Sequence, residues 1–370
     1  MARRGNAAIR RIAITTGGGD APGLNAVIRG VVMAALHHGW ECVGIVNGYD
    51  GLLDPRLREA GLTRLTPERV SGITHLGGTI LGTTNAGNPF SYPVRTPKGM
   101  AERDRSDELV REIKRRRIDA LVAIGGDGSL GIAHGLAQKG LRVIGVPKTI
   151  DNDLESTVIT FGFDSAVSFA TECIDRLHTT AASHRRIMVV EVMGRNAGWI
   201  ALNCGVSANA HAILIPEIPY DIRKVAASLL AREHKGSHHS IVVAAEGAVP
   251  KGGKASVIEK QVGHAERLGG IGERIEKELA ALTGKEIRHV VLGHLLRGGP
   301  PTTFDRLLSL RFGGAAVRAL VDGYSGVMVA LDPPTVRYVP LEKATRRMRS
   351  VPLDCDTIRT ARDLDISFGD

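Results

Sequence analysis

Short apolar runs rich in valine and isoleucine alternate with helical patterns along this chain, and that alternation restricts it to parallel sheets covered by helices on both faces. Strands are expected at RIAITT (11–16), ECVGIVN (41–47), DALVAIGG (119–126), LRVIGV (141–146), RRIMVVEV (185–192), AILIP (212–216), SIVVAAE (240–246) and RHVVLGH (288–294). Helices are expected between them, most clearly over 22–38, 104–117, 164–183, 272–283 and 303–322. At 370 residues the chain exceeds the size at which a single core stops growing, so two three-layer α/β domains are expected, with a boundary soon after Asp153. No repeat of fixed period is visible.

In such sheets ligands bind at the carboxyl ends of the strands, and the polar motifs of this chain fall there. GGGDAPG follows the first run, GGDGS follows DALVAI, PKTIDND follows LRVIGV, MGRNAG follows RRIMVVEV, PE follows AILI, and GHLLRGG lies within the last. GGGDAPGLNA reads as strand, glycine turn and helix, with Pro22 early in the first helical turn and free backbone amides to cradle a phosphate. It is neither GxGxxG nor GxxxxGK[ST], so the dinucleotide and Walker fingerprints both fail. GGDGS offers a second cradle, with Asp127 placed to meet a magnesium ion that bridges phosphates. PKTIDND brings an ammonium, a hydroxyl and two carboxylates together. If that segment is extended, Asp151 and Asp153 point to one side, one to take a proton from an attacking hydroxyl, the other to orient groups or help hold a metal. Lys148 and Thr149 then neutralise the moving phosphoryl. Each motif alone also reads as a solvated turn or a helix cap; their coincidence at strand ends argues for chemistry.

Charge and cysteine usage narrow the classes further. A net charge of +9 and a pI near 9.6 favour an anionic partner, which sugar phosphates and nucleotides satisfy as well as nucleic acid does. The run Lys114–Arg117 closes a helix, where cations offset the dipole, so nucleic-acid binding is not expected. Four cysteines without a CxxC pair give no zinc pattern and suit reduced thiols in the cytoplasm. No apolar run reaches the length of a membrane span. PKGGKASVIEK (250–260) reads as a surface loop.

GGGDAPGLNA, GGDGS, PKTIDND, SHRRIMVVEVMGR, PE and GHLLRGG occur in the order seen in phosphofructokinases, and the resemblance runs from about Ile12 to Phe312. It implies two Rossmann-like domains with the active site in the cleft between them: a nucleotide domain over 1–155 and 298–345, and a sugar-phosphate domain over 156–297 and 346–370. It implies transfer of a phosphoryl group from magnesium ATP to the C1 hydroxyl of fructose 6-phosphate in the cytoplasm. Asp151 resembles the general base, Thr149 and Arg195 the groups that stabilise the phosphoryl in flight, Asp127 the magnesium-linked aspartate and Asp153 the second carboxylate. Gly18, Gly128 and Ser129 fall at nucleotide-phosphate positions. Met193, Gly194, Glu217, His294 and Arg297 fall on the sugar-phosphate site. Arg186 and Arg288 match arginines that reach a neighbouring subunit's site, which implies a homo-oligomer, dimer or tetramer.

The departures bear on the donor. Lys148 resembles members that use diphosphate, where ATP users of the well-known bacterial type carry glycine. Gly128 points the other way, because diphosphate users carry aspartate there, which crowds and repels the nucleotide. Repulsion between two close anions costs on the order of several kcal/mol, so ATP is the expected donor and diphosphate the alternative. Asn85 and Ala86 stand near the place of a donor-binding arginine. At an effector site Arg29 is present, but Met33 and His178 stand where other arginines would be, so the resemblance does not extend to control by nucleotide diphosphate or phosphoenolpyruvate. A regulatory subunit that binds sugar phosphate without turning it over is the remaining alternative, and would be expected to lack Asp127, Asp151 or Asp153.

Overall fold

The expected strands are apolar throughout because both of their faces are covered. The structure is a computed structural model that describes residues 8–57, 60–97, 99–259 and 267–370. It separates into two units: Met1–Thr149, Leu154–Gly162 and Arg297–Met348 form the first, and Ile150–Asp153, Phe163–Leu296 and Arg349–Asp370 the second.

The chain enters unit 1 with β1 (Arg11–Thr16), α1 (Leu24–His37), β2 (Glu41–Ile45), α2 (Asp50–Leu53), β3 (Leu62–Leu65) and the hairpin β4 (Tyr92–Thr96) and β5 (Gly99–Arg103). It continues through α3 (Ser106–Arg115), β6 (Ala120–Gly125), α4 (Asp127–Gln138) and β7 (Val143–Pro147). Unit 2 follows, with α5 (Phe163–His184), β8 (Ile187–Val192), α6 (Trp199–Ser207), β9 (Ala212–Leu214), α7 (Ile222–His234), β10 (Ser240–Ala245), the paired β11 (Val257–Glu259) and β12 (Arg267–Leu268), α8 (Ile271–Thr283), β13 (Ile287–Val291) and a 3₁₀ turn over Gly293–Arg297. The chain returns to unit 1 with α9 (Thr303–Val321), β14 (Val327–Asp332), β15 (Thr335–Pro340) and α10 (Leu341–Ala344), and ends in unit 2 with α11 (Asp356–Asp363).

Unit 1 holds a seven-stranded sheet in the order β15-β14-β7-β6-β1-β2-β3, parallel except for its two antiparallel edges β15 and β3. Alternation along β1 explains the layering: Ile12 and Ile14 face the core beneath α1 and α9, while Ala13 faces the core of α3 and α4. Unit 2 holds a four-stranded, fully parallel sheet, β13-β8-β10-β9. Val189, Val242 and Leu214 pack on α7 and α8, and α5 and α6 lie against β8 and β10. Both units are three-layer α/β, as the alternation requires.

The units exchange short segments that the sequence reading assigned otherwise. Residues 156–162 were expected in the second domain, but they pack in unit 1, where Phe161 is fully buried and Thr160 Oγ1 donates to the Thr149 carbonyl at 2.7 Å. Ile150–Asp153 belong to unit 2 rather than unit 1, and Arg297 and 346–348 to unit 1 rather than unit 2. The strand expected to reach His294 ends at Val291, so His294 sits on the 3₁₀ turn and does not share a strand face with Arg288. Pro22 precedes α1 rather than lying in its first turn. Within the expected loop at 250–260, residues 257–259 form β11, and Lys260 lies outside the described residues. In the basic run, Arg115 and Arg116 both pair with Glu112.

Candidate active site

In unit 1 the carboxyl ends of β1, β6 and β7 build one polar cluster. Gly17 and Gly125 are glycine because Ser129 nests between them: a Cβ at either would fall 2.7 Å or less from its side chain. The Ser129 Oγ and the Lys148 Nζ then lie 3.5 Å from where a Cβ on Gly18 would be. Lys148 is only 3% exposed, and its ammonium donates to the Gly19 carbonyl. Its backbone amide donates to Gly125 at 2.9 Å. Arg297, expected among sugar-phosphate groups, lies in this unit over Gly19 and donates to the Asp20 carbonyl at 3.2 Å. The glycine loop is thus lined by an ammonium, a guanidinium and a hydroxyl.

The sequence predicts free amides in this loop, but those of Gly17 and Gly18 donate to the Ile124 and Thr84 carbonyls at 3.0 Å. Any anion here must therefore rely more on the cationic side chains and on the open N-terminus of α4. Asp127 is exposed as the first residue of that helix. Gly128 follows, and a Cβ on it would meet nothing within 4 Å. Neither packing nor backbone demands glycine at 128, so the space beside it is open to a ligand. Because Thr84 holds Gly18, the exposed Asn85 is tied closely to the loop, with no cation at 85 or 86. Among the described residues no three His, Cys, Asp or Glu side chains are grouped to hold a metal ion. A magnesium ion bound chiefly through phosphate oxygens and water needs only one or two carboxylates, and the glycine-walled opening beside Asp127 fits that arrangement.

Unit 2 assembles carboxylates and an arginine. Asp151 is 4% exposed. Asn152, between the two aspartates, has φ 53, so PKTIDND is not extended there, and strand alternation does not set the directions of Asp151 and Asp153. Beyond β8, Met193, Gly194 and Arg195 form a tight turn with Arg195 at φ 48, a left-handed backbone unusual outside glycine. The turn is gripped from β10: the Arg195 amide donates to Glu246 Oε1 at 3.0 Å, and a Cβ on Gly247 would strike the Arg195 carbonyl. Burial pushes the Glu246 carboxyl up to about 7, the charges of Asp151 and Glu191 add to this, and the amides of Arg195 and Gly194 oppose it.

Glu246 did not stand out in the sequence, although an acid closing a buried parallel strand carries the same signal as the other motifs. Glu217, which did stand out, is engaged elsewhere: its carboxylate accepts from the amides of Gly198 and Val351 at 3.0 and 2.9 Å. Arg186 and Arg288 come together on Glu286 Oε1, at 2.9 and 2.8 Å, and form one cationic pair. His294 is exposed on its 3₁₀ turn.

Two α/β units, one with a cationic glycine cradle and the other with a buried aspartate beside a gripped arginine turn, define a class of phosphate-handling α/β protein. Comparison with known proteins places the chain within it. A sequence model described as phosphofructokinase matches residues 11–320, and the chain belongs to the phosphofructokinase family. It is 50% identical to an ATP-dependent 6-phosphofructokinase of Chloroflexus aurantiacus over 361 residues, covering 98% of each chain. It is 48% identical to a pyrophosphate–fructose 6-phosphate 1-phosphotransferase of Amycolatopsis mediterranei, covering 93% of this chain and 97% of that one. The Pichia pastoris phosphofructokinase in the T-state superposes with a TM-score of 0.78 at 29% identity. That match covers 98% of this chain, which spans 37% of the yeast one.

Proposed function

We propose that the protein transfers the γ-phosphoryl group of ATP to the C1 hydroxyl of fructose 6-phosphate, giving fructose 1,6-bisphosphate and ADP, as a cytoplasmic homo-oligomer. The observation that carries this reading is Asp151: a buried carboxylate in the field of Glu246, two residues along the chain from Thr149 of the donor unit. Among the described residues no helix is long and apolar enough to cross a membrane.

Asp151 takes the C1 hydroxyl proton as the sugar oxygen forms its bond to the γ-phosphorus, and the bond to the bridging β-phosphate oxygen breaks, leaving ADP. Thr149, Lys148 and Arg195 stabilise charge on the phosphoryl in flight. Gly18, Gly128 and Ser129 receive the donor phosphates, with Arg297 alongside. Magnesium, held by Asp127 and the phosphates, would neutralise phosphate charge. Glu246 and the Met193–Arg195 turn face the sugar, Asp153 orients groups beside the base, and His294 serves the sugar phosphate. The Arg186 and Arg288 pair reaches the sugar phosphate of a neighbouring subunit. Diphosphate is the alternative donor, favoured by Lys148 and by the name of the Amycolatopsis relative; open space at Gly128 favours ATP.

Initial rates on fructose 6-phosphate, with ATP and with diphosphate at matched magnesium, test this for wild type and Asp151→Asn. Wild type should turn over faster with ATP, and Asp151→Asn should lose several decades of kcat, roughly 10³-fold or more, while still binding the sugar phosphate. Unimpaired turnover by the variant would refute the assignment of the base.

A further inference from the structure

The turn that carries Asp151 is held from the far end of the chain. Arg349 donates its backbone amide to the Asp153 carbonyl at 2.8 Å, and its Nη1 lies 3.4 Å from Asn152 Oδ1. Asn152 is the left-handed residue between the two aspartates, a conformation that asparagine reaches more readily than most residues but that still costs energy which its surroundings must offset. Arg349 is fixed in turn. Its guanidinium stacks on the Trp199 ring, 4.5 Å from the centroid, and the Trp199 Nε1 donates to the Arg349 carbonyl at 3.1 Å. Two residues further on, Glu217 bridges the Val351 amide to the Gly198 amide at the start of α6. The segment 349–351 is therefore clamped to α6 on one side and grips the aspartate turn on the other.

We propose that Arg349, locked by Trp199 and Glu217, is a positioning residue that sets the orientation of Asp151 by enforcing the left-handed turn at Asn152. It touches neither substrate nor phosphoryl group and acts through the turn. This gives Glu217 a role different from the sugar contact its position in the sequence suggested, and it rests on the reading of Asp151 as the base. Losing the grip leaves both substrate sites intact and lets the base wander, so kcat should fall while the Michaelis constants hold. Misplacement of about 1 Å suffices for a loss on the order of tenfold to a hundredfold.

The test compares kcat, both KM values and Tm for Arg349→Met, Trp199→Phe, Asp151→Asn and the control Arg347→Met. Arg347 pairs only with Glu155 among the described residues and is largely exposed. Arg349→Met should lower kcat by about tenfold or more with KM for fructose 6-phosphate within about twofold. Trp199→Phe, which keeps an aromatic face and loses the bond to the Arg349 carbonyl, should fall between it and wild type. Arg347→Met should match wild type. Adding Asn152→Gly to Arg349→Met should recover part of kcat, since glycine adopts the left-handed turn without enforcement, and a role confined to stability predicts no such rescue. Wild-type kcat in Arg349→Met, or a loss confined to KM, overturns the inference provided that Asp151→Asn is inactive. Turnover by Asp151→Asn instead removes the reading of the base on which it rests.

Discussion

The two units solve opposite electrostatic problems with the same layered fold. Unit 1 gathers positive charge at the carboxyl ends of its strands. Its buried ammonium, Lys148, is engaged by the Gly19 carbonyl of a glycine loop, and Ser129 fits only because Gly17 and Gly125 lack side chains. Unit 2 gathers negative charge: Glu246 lies in the fields of Asp151 and Glu191, and burial first pushes its carboxyl up to about 7. A cationic cradle that receives phosphate can be rigid, with its side-chain cations held by backbone carbonyls. A base and its neighbours must hold carboxylates at an unfavourable density, so they are braced by amides, by a left-handed arginine turn and by Arg349. Under the proposed function the first arrangement selects the donor, and the second carries the proton transfer.

If unit 1 is a selector, its preference should change without loss of fold when the opening beside Gly128 is filled. Gly128→Asp places a carboxylate where no protein atom lies within 4 Å of the new Cβ, so folding should be unaffected. Its charge should oppose the extra phosphate of a nucleotide. The expected outcome is a fall of about 10- to 100-fold in kcat/KM for ATP, equivalent to about 1.4–2.7 kcal/mol, with diphosphate use unchanged or improved. Equal losses with both donors would show that residue 128 serves the cradle generally and does not select.

The contrast is legible in the sequence to different depths. All eight expected strands are present, because buried parallel strands are continuous apolar runs. The strands that went unread are mostly edges and hairpins. β3, β4 and β15 alternate or carry polar residues on their open faces, so no apolar run marks them. β14, VMVALD, is fully buried up to its last residue and carried the usual signal. Site residues on glycine motifs were readable because few other residues tolerate those turns. Glu246 follows β10 directly, and no glycine motif marks it in the sequence. The direction of the PKTIDND aspartates could not be read, since it depends on Asn152 and hence on Arg349, almost two hundred residues away. Long-range bracing of this kind leaves no local pattern.

If unit 2 is the proton-handling half, its pH response should belong to Glu246. The ionised carboxylate is the stronger acceptor for the Arg195 amide and for a sugar hydroxyl, so kcat/KM for fructose 6-phosphate should decline below pH 7, the value to which burial raises this group. In Glu246→Gln the limb near pH 7 should vanish and leave a flatter profile at a level about tenfold lower. A limb that survives unchanged in Glu246→Gln belongs to another group. The stability consequence has a definite sign. A carboxyl whose folded pKa is raised from 4.5 to about 7 favours the folded state below pH 4.5, and that contribution is lost as pH rises through 7.

The smallest expected effect separates the units by acid stability. At the amino ends of β9 and β10, His178, His211 and His239 stand edge to face with all ring centroids 5.9 Å apart. Arg232 adds a further cation, and Asp365 supplies opposite charge to it. His211 is 7% exposed, and its Nδ1 accepts the Ile241 amide at 2.8 Å, so protonating that nitrogen would break the bond. Burial first, then Arg232 and the two histidines, lower its pKa to about 3. A histidine whose folded pKa is depressed below 6.5 stabilises the fold above 6.5, and this is lost as pH falls towards 3. Between pH 6.5 and 4.5 Glu246 gains what His211 loses, and the two slopes largely cancel. Below 4.5 Glu246 is protonated in both states and offers no further offset, so the histidine slope adds to that of Glu233, Glu273, Glu286 and Asp370, whose cationic partners hold their carboxyls below the usual range. Replacing His211 by Asn, whose side-chain oxygen can still accept the Ile241 amide, should flatten the decline in Tm between pH 4.5 and 3.5 by about 2–4 °C. An unchanged slope would mean that acid unfolding starts from carboxylates and that the histidine cluster does not govern it.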